Sequence, residues 1–192
     1  MRSELTKSDR ASSAGRALHD LGAAALFGGN LFARVGMHPA LASISAPRER
    51  GAVVNRAWRR YGTVNSASLG AVLGGWALAR SDEASDRMLS NSERRLALAK
   101  DYAVAAVALT GVASAVSGVL FARMEPDGAV KLEDGSDPLP DTPKREANAK
   151  RVLNVLGAAE LASTGALVAI NAALSQVGFR RPPVRRLLRR SY

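Results

Sequence analysis

The sequence predicts an all-α membrane bundle of four antiparallel helices. Three observations carry that prediction: one charge-free apolar run of membrane length, three further apolar stretches, and polar connections between them rich in Pro or charge. The run is Tyr102–Ala122, twenty-one residues bounded by Asp101 and Arg123. At ~1.5 Å per residue it covers about the ~30 Å hydrocarbon thickness of a bilayer.

The first stretch, Leu21–Met37, contains Asn30 and Arg34. Arg34 lies near its end, where a guanidinium is expected to snorkel to the headgroup level. The second, Thr63–Ala79, is short and rich in Gly and Ser. The third is the charge-free run, and the fourth, Val152–Gly178, carries Glu160 as its single charge.

The connections break or solvate the chain. Met37–Gly62 holds Pro39, Pro47 and Arg48-Glu49-Arg50, and Arg80–Asp101 mixes both signs of charge. The segment 123–151 contains Glu125-Pro126-Asp127-Gly128 and Asp137-Pro138-Leu139-Pro140-Asp141-Thr142-Pro143, which reads as an exposed acidic Pro-rich loop. Within it Ala129-Val130-Lys131-Leu132 has strand character but no evident pairing partner.

An internal echo at an offset of 89 pairs Gly29-Asn30-Leu31-Phe32-Ala33-Arg34 with Gly118-Val119-Leu120-Phe121-Ala122-Arg123. The same offset pairs Gly22 with Gly111, Asn65 with Asn154, and Ala77-Leu78 with Ala166-Leu167. These matches point to a tandem duplication of a two-helix hairpin, with repeats at 18–80 and 107–178 in one membrane-embedded domain.

Lys and Arg near span ends set orientation. Arg180, Arg181, Arg185, Arg186, Arg189 and Arg190 follow the last stretch without an acidic residue, so the C-terminus is expected to be cytoplasmic. Four crossings place the N-terminus there too. The first twenty residues carry Glu4, Asp9 and Asp20 and do not read as a cleavable signal. Against this topology, the first connection would face outward with Arg48, Arg50, Arg56, Arg59 and Arg60. A three-span arrangement, with the first stretch lying in the interface or returning to the same side, removes that conflict.

Composition narrows the chemistry. There is no cysteine, and only 5% of residues are aromatic, so the core must come from Ala, Leu, Val and Gly. His19 and His38 flank one apolar stretch and are expected at the interface rather than on a metal. A mean hydropathy of −0.04 is low for a polytopic membrane protein. Of 27 basic residues, 22 are Arg, which with abundant Ala points to a high-GC bacterial genome. The expected location is therefore the bacterial inner membrane.

Glu160 is the sharpest candidate, because a carboxyl inside a membrane helix must face the bundle or water. It could carry a proton or bind a cation, with Asn65, Ser66 or Ser68 as a partner. Asn30, Asn65, Asn154 and Asn171 form a second polar set, suited to hydrogen bonds between helices. Gly70-Ala71-Val72-Leu73-Gly74 is a GxxxG and Ser114–Gly118 a small-xxx-small analogue, both readable as close-packing motifs. In the tail 179–192, Val184, Leu187, Leu188 and Tyr192 share one helical face with the arginines beside them, a pattern that lies on anionic inner-leaflet lipid.

The +10 net charge is spread over connections and tail, so nucleic acid is not the expected partner. No phosphate loop, dinucleotide fingerprint, nucleophile elbow or metal-ligand spacing occurs, and no cofactor or enzymatic activity is expected. The reading is a non-enzymatic membrane scaffold, complex subunit or lipid-interacting component, with a membrane protein or a second copy as partner. A small carrier or channel using Glu160 and the asparagines is the alternative. A soluble basic bundle is the third.

Overall fold

The computed structural model describes residues 7–83 and 90–179. They form four long helices: α1 (Lys7–Phe32), α2 (Pro47–Glu83), α3 (Asn91–Phe121) and α4 (Lys144–Phe179). Short helical turns and one isolated bridge complete the secondary structure of the described residues. Each helix packs antiparallel to its neighbours in the order α1–α2–α3–α4–α1, with the closest pairing inside the hairpins α1–α2 and α3–α4. The arginine tail from Arg180 to Arg190 lies outside the described residues.

The all-α class follows the sequence, but the helices outrun the apolar stretches. At ~1.5 Å per residue the 37-residue α2 is about 55 Å long, well beyond a bilayer's hydrocarbon thickness. It starts at Pro47, whose fixed φ and missing N–H suit a first helical position, and runs through Arg48–Gly62, read above as connection. Charge at solvent-facing positions does not stop a helix. α3 begins in a capping box, with Glu93 N donating to Ser90 Oγ at 3.3 Å and Ser90 N donating to Glu93 Oε2 at 2.8 Å. Among the described residues α3 and α4 are long and apolar enough to cross a membrane.

The α1–α2 seam is built on glycine. Gly15, Gly22 and Gly29 recur every seven residues and face Gly75, Ser68 and Tyr61, which recur every seven in reverse. A Cβ on Gly15 would stand 2.8 Å from Leu78 Cβ, and one on Gly22 would stand 2.5 Å from the Ser68 carbonyl oxygen. The backbones approach because no side chain separates them. This corrects the motif reading. A Cβ at Gly70, Gly74 or Gly118 would meet nothing within 4 Å, so none of them packs one helix of this chain on another. Only Ser114 of that set turns inward, its Oγ buried. Spacing on one helix does not reveal which face meets a neighbour; the register between two helices decides it. The proposed repeats also differ locally: Gly29 packs on Tyr61, whereas its counterpart Gly118 is open.

Two apolar clusters hold the bundle. Ala23, Leu26, Val72, Ala103, Val104, Val107 and Leu167 fill its middle. Leu41, Val54, Phe121, Val130 and Leu132 close one end, which we term the capped end. Here 123–151 departs from the exposed loop expected. Lys144 onward is helical, and Val130 and Leu132 are fully buried, each contributing roughly 1.5–3 kcal/mol of burial free energy. Leu132 N donates to Pro47 O at 3.2 Å, and Leu132 bridges Pro138, so the strand-like tetrapeptide does find partners.

Arg50 holds this cap from beneath. Its Nε donates to Ile44 O at 2.6 Å, Nη1 to Glu133 O at 2.5 Å and Leu132 O at 3.3 Å, and Nη2 to Ala42 O at 3.3 Å. Gly128 turns the loop at φ 65°, and a Cβ there would also run into Asn55, so glycine is required twice over. Before the cap, α1 ends in a π turn, Ala33–Met37. Pro39 cannot donate to the carbonyl four residues back and its ring presses on it, and the widened turn relieves that clash.

Candidate functional site

Glu160 points into the bundle. It is 3% exposed, and its carboxyl faces the Asn30 amide of α1 and the Ser114 hydroxyl of α3. Three helices therefore meet at one carboxyl. Gly111 leaves room beside it: a Cβ at Gly111 would stand 3.8 Å from Glu160 Oε1. The partner expected on α2 is thus replaced by partners on α1 and α3; Ser66 is exposed.

The surrounding hydroxyls and amide also serve their own helices. Thr164 Oγ1 donates to Glu160 O at 2.7 Å, Ser163 Oγ to the same carbonyl at 3.1 Å, and Asn30 Nδ2 to Leu26 O at 3.0 Å. Such back-bonding satisfies polar atoms inside an apolar bundle. Thr110 Oγ1 and Ser163 Oγ, 3.3 Å apart, add a link between α3 and α4. No Lys or Arg forms an ion pair with Glu160 among the described residues. Chemically, the arrangement can hold one proton or one small cation.

The asparagines do not assemble into one site. Only Asn30 meets Glu160. Asn65 has a buried Oδ1 without a hydrogen-bond partner. Asn154 donates to Ser136 O at 2.8 Å at the capped end, and Asn171 donates to Asp20 Oδ1 at 2.8 Å near the opposite end. Arg34 does not simply snorkel: its Nη2 donates to Asn154 O at 2.5 Å, tying α1 to α4.

Both histidines, expected at the interface, are buried within the bundle. His19 Nδ1 donates to Val72 O at 2.8 Å across the glycine seam, where backbones are close enough for a side chain to reach a helix carbonyl. His38 lies under the cap. It bonds Ser136 Oγ through Nδ1 at 2.9 Å and accepts from Trp58 Nε1 at 3.3 Å, while Gly135 N donates to its carbonyl at 3.0 Å. Burial, and then Lys150, hold its pKa down at about 4, with Asp134 opposing and Arg34 assisting. Sequence reasoning missed this cluster. His38 and Ser136 lie 98 positions apart, and the acidic loop carried no sign that it folds inward.

Two surface cavities lie away from Glu160. One, of about 220 Å³, lies between α1 and α4 and is lined by Asp20, Asn171 and Ser175 among others. The second, of about 200 Å³, is lined by Gly29, Phe32, Ala33, Met37, Ala57, Trp58 and Tyr61. Neither is lined by Glu160. No group of three or more His, Cys, Asp or Glu is placed to hold a metal among the described residues. The chain matches no protein-family model, and comparison with curated proteins and with solved structures finds no similar chain.

Proposed function

We propose that this protein is a non-enzymatic integral membrane protein of the bacterial inner membrane, acting through lipid and protein contacts as a scaffold or complex subunit. The observation that supports it is an inverted distribution of polarity. Only 17% of the apolar stretch in each of α3 and α4 is buried, and Tyr102, Leu109 and Val155 stand 76%, 73% and 67% exposed. The interior meanwhile holds Glu160, Asn30, Ser68, Thr164 and His19. Water penalises that arrangement on both counts, since it leaves large apolar surface wet and buries polar groups. Hydrocarbon favours it, because polar groups then find partners only inside the bundle. A soluble bundle would turn the same helices the other way.

Membrane fractionation tests the reading. Retention in the pellet after an alkaline carbonate wash, with release only by detergent, is the expected result. Release by carbonate alone would overturn it. A second reading, a proton or cation carrier, draws on Glu160 being enclosed by Asn30 and Ser114 within an apolar helix. The scaffold reading is preferred because it draws on the exposed apolar faces of both α3 and α4 rather than on one carboxyl.

A further inference from the structure

The groove between the end of α1 and the first third of α2 combines an apolar trough with an unpaired cationic edge. Its walls are Phe32, Ala33, Met37, Ala57, Trp58 and Tyr61, and its depth depends on Gly29, where any Cβ would collide with the Tyr61 hydroxyl end. Trp58 and Tyr61 stack edge to face at 6.1 Å. The indole N–H is taken by His38 and the phenol hydroxyl donates to Ala25 O at 3.1 Å, so the polar ends of both rings are already engaged. Arg56 and Arg60, close to the trough residues along α2, are exposed, and neither forms an ion pair with another described residue. Arg60 precedes Tyr61 directly, and Arg56 lies one turn behind it on the same edge of α2.

We infer that this groove binds an anionic phospholipid, with an acyl chain against Phe32, Ala33, Met37 and Trp58 and its phosphate at Arg60 and Arg56. The inference rests on the membrane reading above and names a lipid class for it. Charge complementarity selects the occupant. A zwitterionic lipid brings its own cation to the arginines, and a free phosphate leaves the trough empty. The same assignment accounts for Arg56 and Arg60 among the arginines that oppose the charge rule on this side of the bundle: they meet lipid phosphate.

The test is quenching of Trp58 by lipids brominated on the acyl chain, in nanodiscs holding the full chain with Trp76→Phe, so that the signal comes from the groove and not from binding to the arginine tail. Brominated phosphatidylglycerol should quench at lower mole fraction than brominated phosphatidylcholine, by about five-fold for each arginine engaged. Arg56→Gln with Arg60→Gln should abolish that preference while leaving the helical circular-dichroism signal unchanged, and Ala57→Leu, which fills the trough, should weaken quenching by both lipids. Equal quenching by the two lipids in the parent chain, or a preference that survives the double substitution, would overturn the site. Carbonate release of the parent chain would overturn the membrane reading and the site with it; retention with equal quenching removes the site alone.

Discussion

Trp58 Nε1 donates to His38 Nε2 at 3.3 Å, and that one bond sets the tautomer of the histidine. An indole N–H can only donate, so Nε2 must offer its lone pair, and the ring proton sits on Nδ1 facing Ser136 Oγ at 2.9 Å. Protonation would put two N–H groups head to head.

The pH dependence follows in sign. His38 titrates at about 4 in the fold against 6.5 when free, so the native state holds its full advantage above about pH 6.5. As pH falls from there to about 4 the unfolded chain takes up the proton first, and stability is lost. Thermal melts in detergent should show a lower midpoint at pH 4.5 than at pH 7.5. His38→Gln should shrink that difference; an undiminished difference would mean that other groups cause it.

The glycine seam makes a paired prediction. Gly22→Ala should destabilise the bundle by about 1–3 kcal/mol, because the new methyl meets the Ser68 carbonyl at 2.5 Å and the helices must part. Gly70→Ala, in open space on the outer face of α2, should be neutral or stabilising by up to about 1 kcal/mol through helix propensity. Denaturant midpoints of the two variants measure this contrast directly.

Arg50→Lys should loosen the cap. An ammonium cannot reproduce a fork that reaches the carbonyls of Ala42, Ile44, Leu132 and Glu133. A loss of about 2–3 kcal/mol is expected, on the scale of hydrogen bonds to charged groups. Limited proteolysis should find new cleavage between residues 123 and 143 in the variant and spare the parent. Equal cleavage would show that Val130 and Leu132 hold the cap unaided.

Glu160→Gln separates the two functional readings. Gln keeps the shape and can still hydrogen-bond Asn30 and Ser114, so as a structural residue it should cost less than about 1.5 kcal/mol. Proton flux across reconstituted vesicles should be unchanged. A pH-dependent flux abolished by the substitution would establish the carrier.

Much of the fold was legible because its signals are local. A charge-free run, Pro and Gly breakers and a single acidic residue in the last stretch are each read from residues contiguous in the chain. The site was legible only in part. Glu160 could be expected to turn inward, but its partners Asn30 and Ser114 lie 130 and 46 positions away, and nothing near Glu160 names them. The same holds for His38 with Ser136 and for Gly22 with Ser68.

The sequence by itself determined an all-α chain with helices of membrane length, because helix formation and hydropathy depend on neighbours along the backbone. Only the tertiary structure decided which glycines touch, which asparagine reaches the carboxyl, and that the acidic loop folds in over His38. Those outcomes depend on the rotation and register of whole helices against one another, which are set by the summed packing of distant residues.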